Sequence, residues 1–176
     1  MTAAIAKAPR KEKAPKPEKP VSRAASQSRP AEVTVTDSRA LYASTPDVRV
    51  QIIKRGVNAA EVRDLVRKMD VSQDKIYRFL RLSPATVNRK VQAKGRLSTD
   101  DSERVVGMSQ LIGQVETMVA QSGNPEGFDA AKWVAQWLES PLPALNGQRP
   151  AEYLDTIEGQ RMISNLLAMM QSGAYA

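Results

Sequence analysis

The chain has no cysteine and no histidine among its 176 residues. That double absence removes disulfides, thiolate or imidazole zinc sites, and every catalytic scheme built on an imidazole base or a thiolate nucleophile. No apolar run approaches the roughly 18 to 20 residues that a membrane span needs. Nor does the basic N-terminal stretch lead into the apolar segment of a secretory signal. Asp, Glu or Lys could still catalyse, but no carboxylate pair stands in a glycine-rich or otherwise special setting. The expectation is a soluble, cytoplasmic protein with no membrane contact, no metal and no cofactor, acting as a binding module and not as an enzyme.

What is present is charge, unevenly spread. Residues 1–30 carry 8 Lys/Arg against 2 acids, residues 31–48 carry 1 against 3, residues 49–96 carry 13 against 4, and residues 97–176 carry 4 against 10. A basic half and an acidic half on one chain imply a polyanion for the first and a different partner for the second. The first thirty residues are Ala, Pro and Lys with almost no bulky apolar side chain. Such a segment cannot bury enough surface to offset chain entropy, so a disordered tail is expected there. Its charge suits either a solubilising arm or a phosphate-binding one.

From Asp37 onward the pattern is helical. Thr45-Pro46 starts a helix that stops at Gly56, and Asn58 starts one through Met69 with Val62, Leu65, Val66 and Met69 on one face. Ser72 opens a short helix bearing Ile76, Phe79 and Leu80. Ser83-Pro84 opens the next, with Val87 and Val91 inward and a stop near Gly95. Ser98, with Asp101 three residues on, opens a long helix to about Gln121. No strand alternation appears, and the chain is expected to be all-α.

Two short helices between Ser72 and Gly95, separated by a three- to four-residue turn, meet the requirement of a helix-turn-helix. The second helix turns Ala85, Thr86, Asn88, Arg89, Lys90, Gln92 and Lys94 outward. Asn, Arg and Gln can read base edges, while Lys, Arg and Thr hold phosphates. An ordinary solvated basic face would look the same.

The last forty residues are apolar for a chain end. Trp133, Val134, Trp137 and Leu138 form one broad face, suited to a core or to a partner. Pro143, Gly147 and Pro150 set a stiff turn with little freedom to lose on binding. The final helix carries Met162, Ile163, Leu166, Leu167, Met169 and Met170, more than one stripe requires, which predicts a second, partner-covered face.

The run Leu82-Ser83-Pro84-Ala85-Thr86-Val87-Asn88-Arg89-Lys90, followed by Gly95-Arg96-Leu97-Ser98 and Ser102-Glu103-Arg104-Val105, resembles the Xre-like helix-turn-helix of the Xre/MbcA/ParS antitoxins. Trp137-Leu138, Pro143-Ala144-Leu145-Asn146-Gly147, Pro150, Leu154-Asp155-Thr156, Gly159, Leu166-Leu167 and Gly173-Ala174-Tyr175 resemble that family's C-terminal toxin-binding domain in order and spacing. The resemblance covers about residues 57–176. It implies a DNA-binding helix-turn-helix domain and a small helical toxin-binding domain, and with the composition of the start the expected division is a disordered basic tail over 1–36, the helix-turn-helix domain over 37–122 and the toxin-binding domain over 123–176. It further implies a type II antitoxin that inhibits a RES-domain toxin, an NAD-consuming or ADP-ribosylating enzyme encoded beside it, and that represses its own operon, as a homodimer within the toxin complex.

The DNA-binding residues so implied are Ser83, Thr86, Asn88, Arg89, Lys90, Lys94 and Arg96. The toxin-binding ones are Trp137, Leu145, Asn146, Gly147, Pro150, Leu154, Gly173, Ala174 and Tyr175. Inhibition would be occlusion: Gly173 to Ala176 are small or end in one aromatic, shapes that can enter the mouth of a dinucleotide cleft. A frayed terminus is the plain alternative. The chain departs from the family in Arg89-Lys90, where Arg-Arg is usual, and in Asn146-Gly147, where Gly-Gly is usual. Lys cannot copy the bidentate grip of Arg on guanine, whereas Asn tolerates a left-handed turn. A helix-turn-helix repressor without a toxin partner is the alternative function.

Overall fold

The computed structural model describes residues 32–123 and 125–173, and the helices begin where the capping residues place them. Asp37 caps α1 (Ser38–Ala43), its carboxylate accepting from the Ala40 amide at 3.0 Å. Thr45 caps α2 (Pro46–Arg55) with Pro46 at its first position, where a missing N–H costs nothing. Asn58 caps α3 (Ala59–Met69) by accepting from the Ala60 amide at 2.9 Å. α4 (Gln73–Phe79) and α5 (Pro84–Gln92) follow, the latter capped by Ser83 Oγ on the Thr86 amide at 3.3 Å. Ser98 caps α6 (Thr99–Gln121), Asp129 caps α7 (Ala130–Trp137) and Thr156 caps α8 (Ile157–Ser172). Between α7 and α8 lie two 3-10 turns, Pro143–Leu145 and Pro150–Tyr153. Among the described residues there is no strand, only an isolated antiparallel bridge between Asn58 and Arg96.

α6 is the axis. Val105, Val106, Met108, Leu111, Ile112 and Val115 are buried along it, and α1, α2, α7 and α8 all pack against it. α3 supports α4 and α5 on one side and meets α7 on the other. The segments expected as separate domains, 37–122 and 123–176, therefore bury into a single apolar cluster, with Val134, Leu138, Ile163, Leu166 and Leu167 from the second joining it.

The expected tail over 1–36 falls in two parts. Residues 1–31 lie outside the described residues. Residues 32–36 are packed: Val35 is fully buried, and its carbonyl accepts from Ser109 Oγ at 2.8 Å. A lone valine pair, Val33 and Val35, carries too little periodicity to be read as ordered from sequence.

Candidate functional site

α4 and α5 form a helix-turn-helix. Leu80 and Leu82 are buried in the turn, the Leu82 amide donates to Tyr77 O at 2.7 Å, and Arg81 takes a left-handed φ of +50° to close it. Val87 is buried under α5 and Val91 half-buried, as the spacing requires. On the outward side Asn88, Arg89, Gln92 and Lys94 are exposed, and Thr86 and Lys90 half-exposed. Ser83 is exposed too, but its hydroxyl is engaged in the cap. Arg96 is anchored, since its guanidinium donates to Gly56 O at 2.9 Å and ties the loop after α5 to the end of α2.

The basic surplus of residues 49–96 is partly consumed inside the fold. Lys75 pairs with Glu139 at 2.6 Å and Arg81 with Asp155 at 3.4 Å, while a third bridge runs the other way, from Lys132 to Asp70 at 3.1 Å. These bridges join the basic half to the acidic half, and Asp70 holds the Lys132 ammonium pKa above its usual value. Among the described residues Arg89, Lys90 and Lys94 have no ion pair. They are the cations that α5 and its following loop leave for an outside anion.

The C-terminal residues divide into frame and surface. Trp137 is 7 % exposed, Leu145 6 % and Leu154 fully buried, and Pro150 is buried as well. The frame is drawn together by the Ala151 amide donating to Leu138 O at 2.9 Å. Asn146 and Gly147 stand exposed at the tip of the first 3-10 turn, with left-handed φ of +54° and +79°. The turn closes by the Gly147 amide on Leu142 O at 2.9 Å. Asn in the first left-handed position keeps the conformation for which glycine is the default. Gly173 ends α8 in a left-handed cap with φ +69°. Ala174 and Tyr175 lie outside the described residues.

α8 buries Ile163, Leu166 and Leu167, yet leaves Met162 at 39 %, Met169 at 43 % and Met170 at 37 % exposed. Met162 and Met169, seven residues apart, share one stripe. Met170 faces elsewhere, lining an apolar groove with Val115, Met118, Phe128, Trp133 and Leu167. Phe128 was not singled out by the sequence. It packs against Trp133 with ring centroids 6.2 Å apart, and Trp133 stacks on Trp137 at 5.8 Å. The signal was available: Phe128 precedes the Asp129 cap and Trp133 is the fourth helical residue, the arrangement of a hydrophobic staple.

Two polar residues that sequence reading passed over hold the two halves together. Arg104 Nε donates to Leu80 O in the helix-turn-helix turn at 2.7 Å, and its guanidinium also pairs with Asp101. Gln160 Nε2 donates to Arg104 O at 3.0 Å and to Leu154 O at 2.9 Å. Burial pushes the Tyr77 phenol and the Glu116 carboxyl above their usual pKa values.

Two family models match the chain in the order of these elements. Residues 48–108 match the antitoxin Xre-like helix-turn-helix domain, and residues 126–173 match the antitoxin Xre/MbcA/ParS C-terminal toxin-binding domain. A curated protein of Sphingobium sp. (strain YBL2), the "Prs ADP-ribosylating antitoxin", is 46 % identical over 138 residues, which span 78 % of this chain and 87 % of that relative.

Proposed function

The chain belongs to the Xre/MbcA/ParS antitoxins, and from that premise we propose that it neutralises a RES-domain toxin by seating its C-terminal end across the toxin's dinucleotide cleft. It is the antitoxin of a toxin-antitoxin system, carries a helix-turn-helix, and is a binding protein, not an enzyme. The observation that carries the finer reading is the exposed Met162–Met169 stripe on α8, inside the matched toxin-binding segment and beyond what the core requires. Apolar surface of this kind marks a site that a partner covers. The turn tip at Asn146 and Gly147 and the chain end from Gly173 through Tyr175 complete the proposed contact set. Trp137, Leu145, Pro150 and Leu154 act as its frame.

The name of the relative joins the word antitoxin to ADP-ribosylation of Prs. ADP-ribosyl transfer consumes NAD, so a toxin with that chemistry must admit a dinucleotide, and blocking the mouth of its cleft stops turnover without any chemistry by the antitoxin. α5 supplies the second activity, binding the operator of its own operon through Thr86, Asn88, Arg89, Lys90 and Lys94, with Ser83 and Arg96 setting the helix and loop in place. The protein acts in the cytoplasm as a homodimer within the toxin complex. The division at 122/123 separates tasks and not bodies, since the described residues on either side share one core, and residues 32–36 belong with that core through Val35. A repressor with no toxin partner is set aside, because the matched C-terminal segment is a toxin-binding domain.

Co-expression with the protein encoded beside it, which this reading expects to be a RES-domain toxin, tests the proposal. A stoichiometric complex in which NAD loss is abolished is the expected result. NAD loss that continues in the presence of excess antitoxin would exclude it.

A further inference from the structure

Six large apolar side chains stand exposed among the described residues, and Tyr42 and Val50 are the two that lie outside the matched toxin-binding segment. Both line a cleft of about 370 Å³ over α6, walled by α1 and α2 on one side and by α8 on the other. Ile53 and Ile157, both half-buried, complete its apolar walls. Asn165 lines it too, and is exposed. That residue follows Met162 by three positions and precedes Met169 by four, so it stands between them on one helix face. The cleft therefore opens at the edge of the Met162–Met169 stripe, and the two make one continuous surface.

Polar capacity is left over in the cleft. Glu103 and Gln110 of α6 line it half-buried, and neither side chain has a hydrogen bond or ion pair among the described residues. The two cations beside them are engaged within the fold: Arg49 donates to Tyr42 O and Ser44 O, and Arg161 pairs with Glu158 at 3.4 Å. The cleft thus offers apolar walls with a free carboxylate and a free amide between them. That suits a bulky apolar side chain whose flanking main chain brings hydrogen-bond donors, since a carboxylate held partly out of water gains most from a donor. Apolar at its centre with polar partners around it, the arrangement is that of a protein contact.

Two occupants fit that description, a second copy of the chain and the toxin. Continuity favours the toxin. One wall of the cleft is α8, which lies in the matched toxin-binding domain, and the stripe bordering the cleft is the surface proposed for the toxin. A partner seated on Met162 and Met169 reaches the cleft simply by extending across Asn165.

We propose that the toxin's contact runs beyond the matched C-terminal segment into this cleft, where a toxin loop inserts an apolar side chain between Val50 and Ile157 and donates a hydrogen bond to Glu103. α2, outside the toxin-binding domain, thereby becomes part of the toxin interface. The inference rests on the reading that the toxin covers the Met162–Met169 stripe.

The test titrates the toxin encoded beside the antitoxin, by calorimetry, with the full-length chain and its variants Val50→Asp, Glu103→Gln and Met162→Ser/Met169→Ser. Denaturation and sedimentation of each free variant accompany the titration. Val50→Asp is expected to weaken the complex at least about tenfold, the effect of losing a buried apolar anchor, and Glu103→Gln about threefold or more. Denaturation midpoints and the mass of the free antitoxin should stay as they are, because Val50 is exposed and Glu103 half-exposed. If the Met162/Met169 variant weakens binding while Val50→Asp binds as the full chain does, this inference fails and the stripe reading stands. If none of the variants weakens binding, both fail together. A lower mass of free Val50→Asp would assign the cleft to a contact between copies and overturn the inference. Should Val50→Asp lower the denaturation midpoint, Glu103→Gln decides alone, and unchanged toxin affinity in that variant overturns the inference.

Discussion

Gln160 of α8 lies against Gly107 of α6 so closely that a Cβ at position 107 would fall 1.6 Å from Gln160 Oε1. The same side chain is held from its other end, with Nε2 donating to Arg104 O and Leu154 O. α8 therefore docks on α6 through a buried amide at a point where α6 must have no side chain, and a second buried amide, Gln114 of α6, holds Ser164 of α8 further along. Glycine inside a helix normally costs about 0.5–1 kcal/mol relative to alanine, so Gly107→Ala on an open helix would stabilise. Here the expected sign is reversed. The substitution displaces Gln160 and breaks its bonds to Arg104 O and Leu154 O, a loss of about 2 kcal/mol. Chemical denaturation checks it, and an unchanged or higher midpoint would show that the contact is slack.

Tyr77 offers a prediction of the opposite sign. Its ring is buried beneath the helix-turn-helix, its hydroxyl has no hydrogen-bond partner, and burial raises its pKa. An unpaired buried hydroxyl is a net cost. Tyr77→Phe is expected to leave the fold intact and to stabilise it by up to about 1 kcal/mol, read as a raised denaturation midpoint with duplex binding unaltered.

Glu116 makes stability depend on pH. Burial raises its pKa above 4.5, with Lys68 opposing and Asp37 reinforcing. A group whose folded pKa is raised contributes stability below its unfolded pKa and loses it as pH rises through the folded one. At pH 7 the ionised carboxylate is thus a liability. Glu116→Gln is expected to raise the melting temperature at pH 7, and the gain should shrink to nothing below about pH 4, where the native carboxyl is protonated in both states. A gain that is the same at both values would contradict this cause.

The helices were legible because their starts are written in capping residues: Thr45, Asn58, Ser72, Ser83 and Ser98 each precede a helix at the expected place. α1 was not, since its six residues hold a single buried apolar side chain, Leu41, and no 3.6-residue pattern can show in so short a span. Gln160 was illegible for a different reason. A polar residue on an amphipathic helix reads as a surface residue, and one of the carbonyls that bury it comes from Arg104, 56 residues away in sequence. At the C-terminal end the motif showed which residues belong together but not how they divide. Tertiary packing puts Trp137, Leu145, Pro150 and Leu154 inside and leaves Asn146 and Gly147 outside. The charge pattern misled in one respect, because Lys75 and Arg81 sit in the basic half yet are paired across the fold with Glu139 and Asp155.

The α8 stripe separates partner binding from stability. Met162 and Met169 are exposed and contribute little to the core, so Met162→Ser/Met169→Ser is expected to shift stability by less than about 0.5 kcal/mol. Loss of their contact with a covering partner should weaken the toxin complex at least tenfold. A calorimetric titration against the toxin, beside a denaturation curve of the free variant, reads both numbers. Unchanged affinity would place the toxin on another face.

Closure of the toxin's cleft by the chain end itself is the step on which the proposed inhibition depends. Its most direct test is NAD consumption by the purified toxin complex made with the full antitoxin and with one lacking Gly173 to Ala176. Gly173 is a cap beyond the last turn of α8, so the truncation should leave the helical fold and DNA binding intact. NAD loss is expected to be silent with the full chain and restored with the truncated one, even where the complex still forms. Equal and complete inhibition by both would contradict the claim and move the occluding element elsewhere on the C-terminal segment.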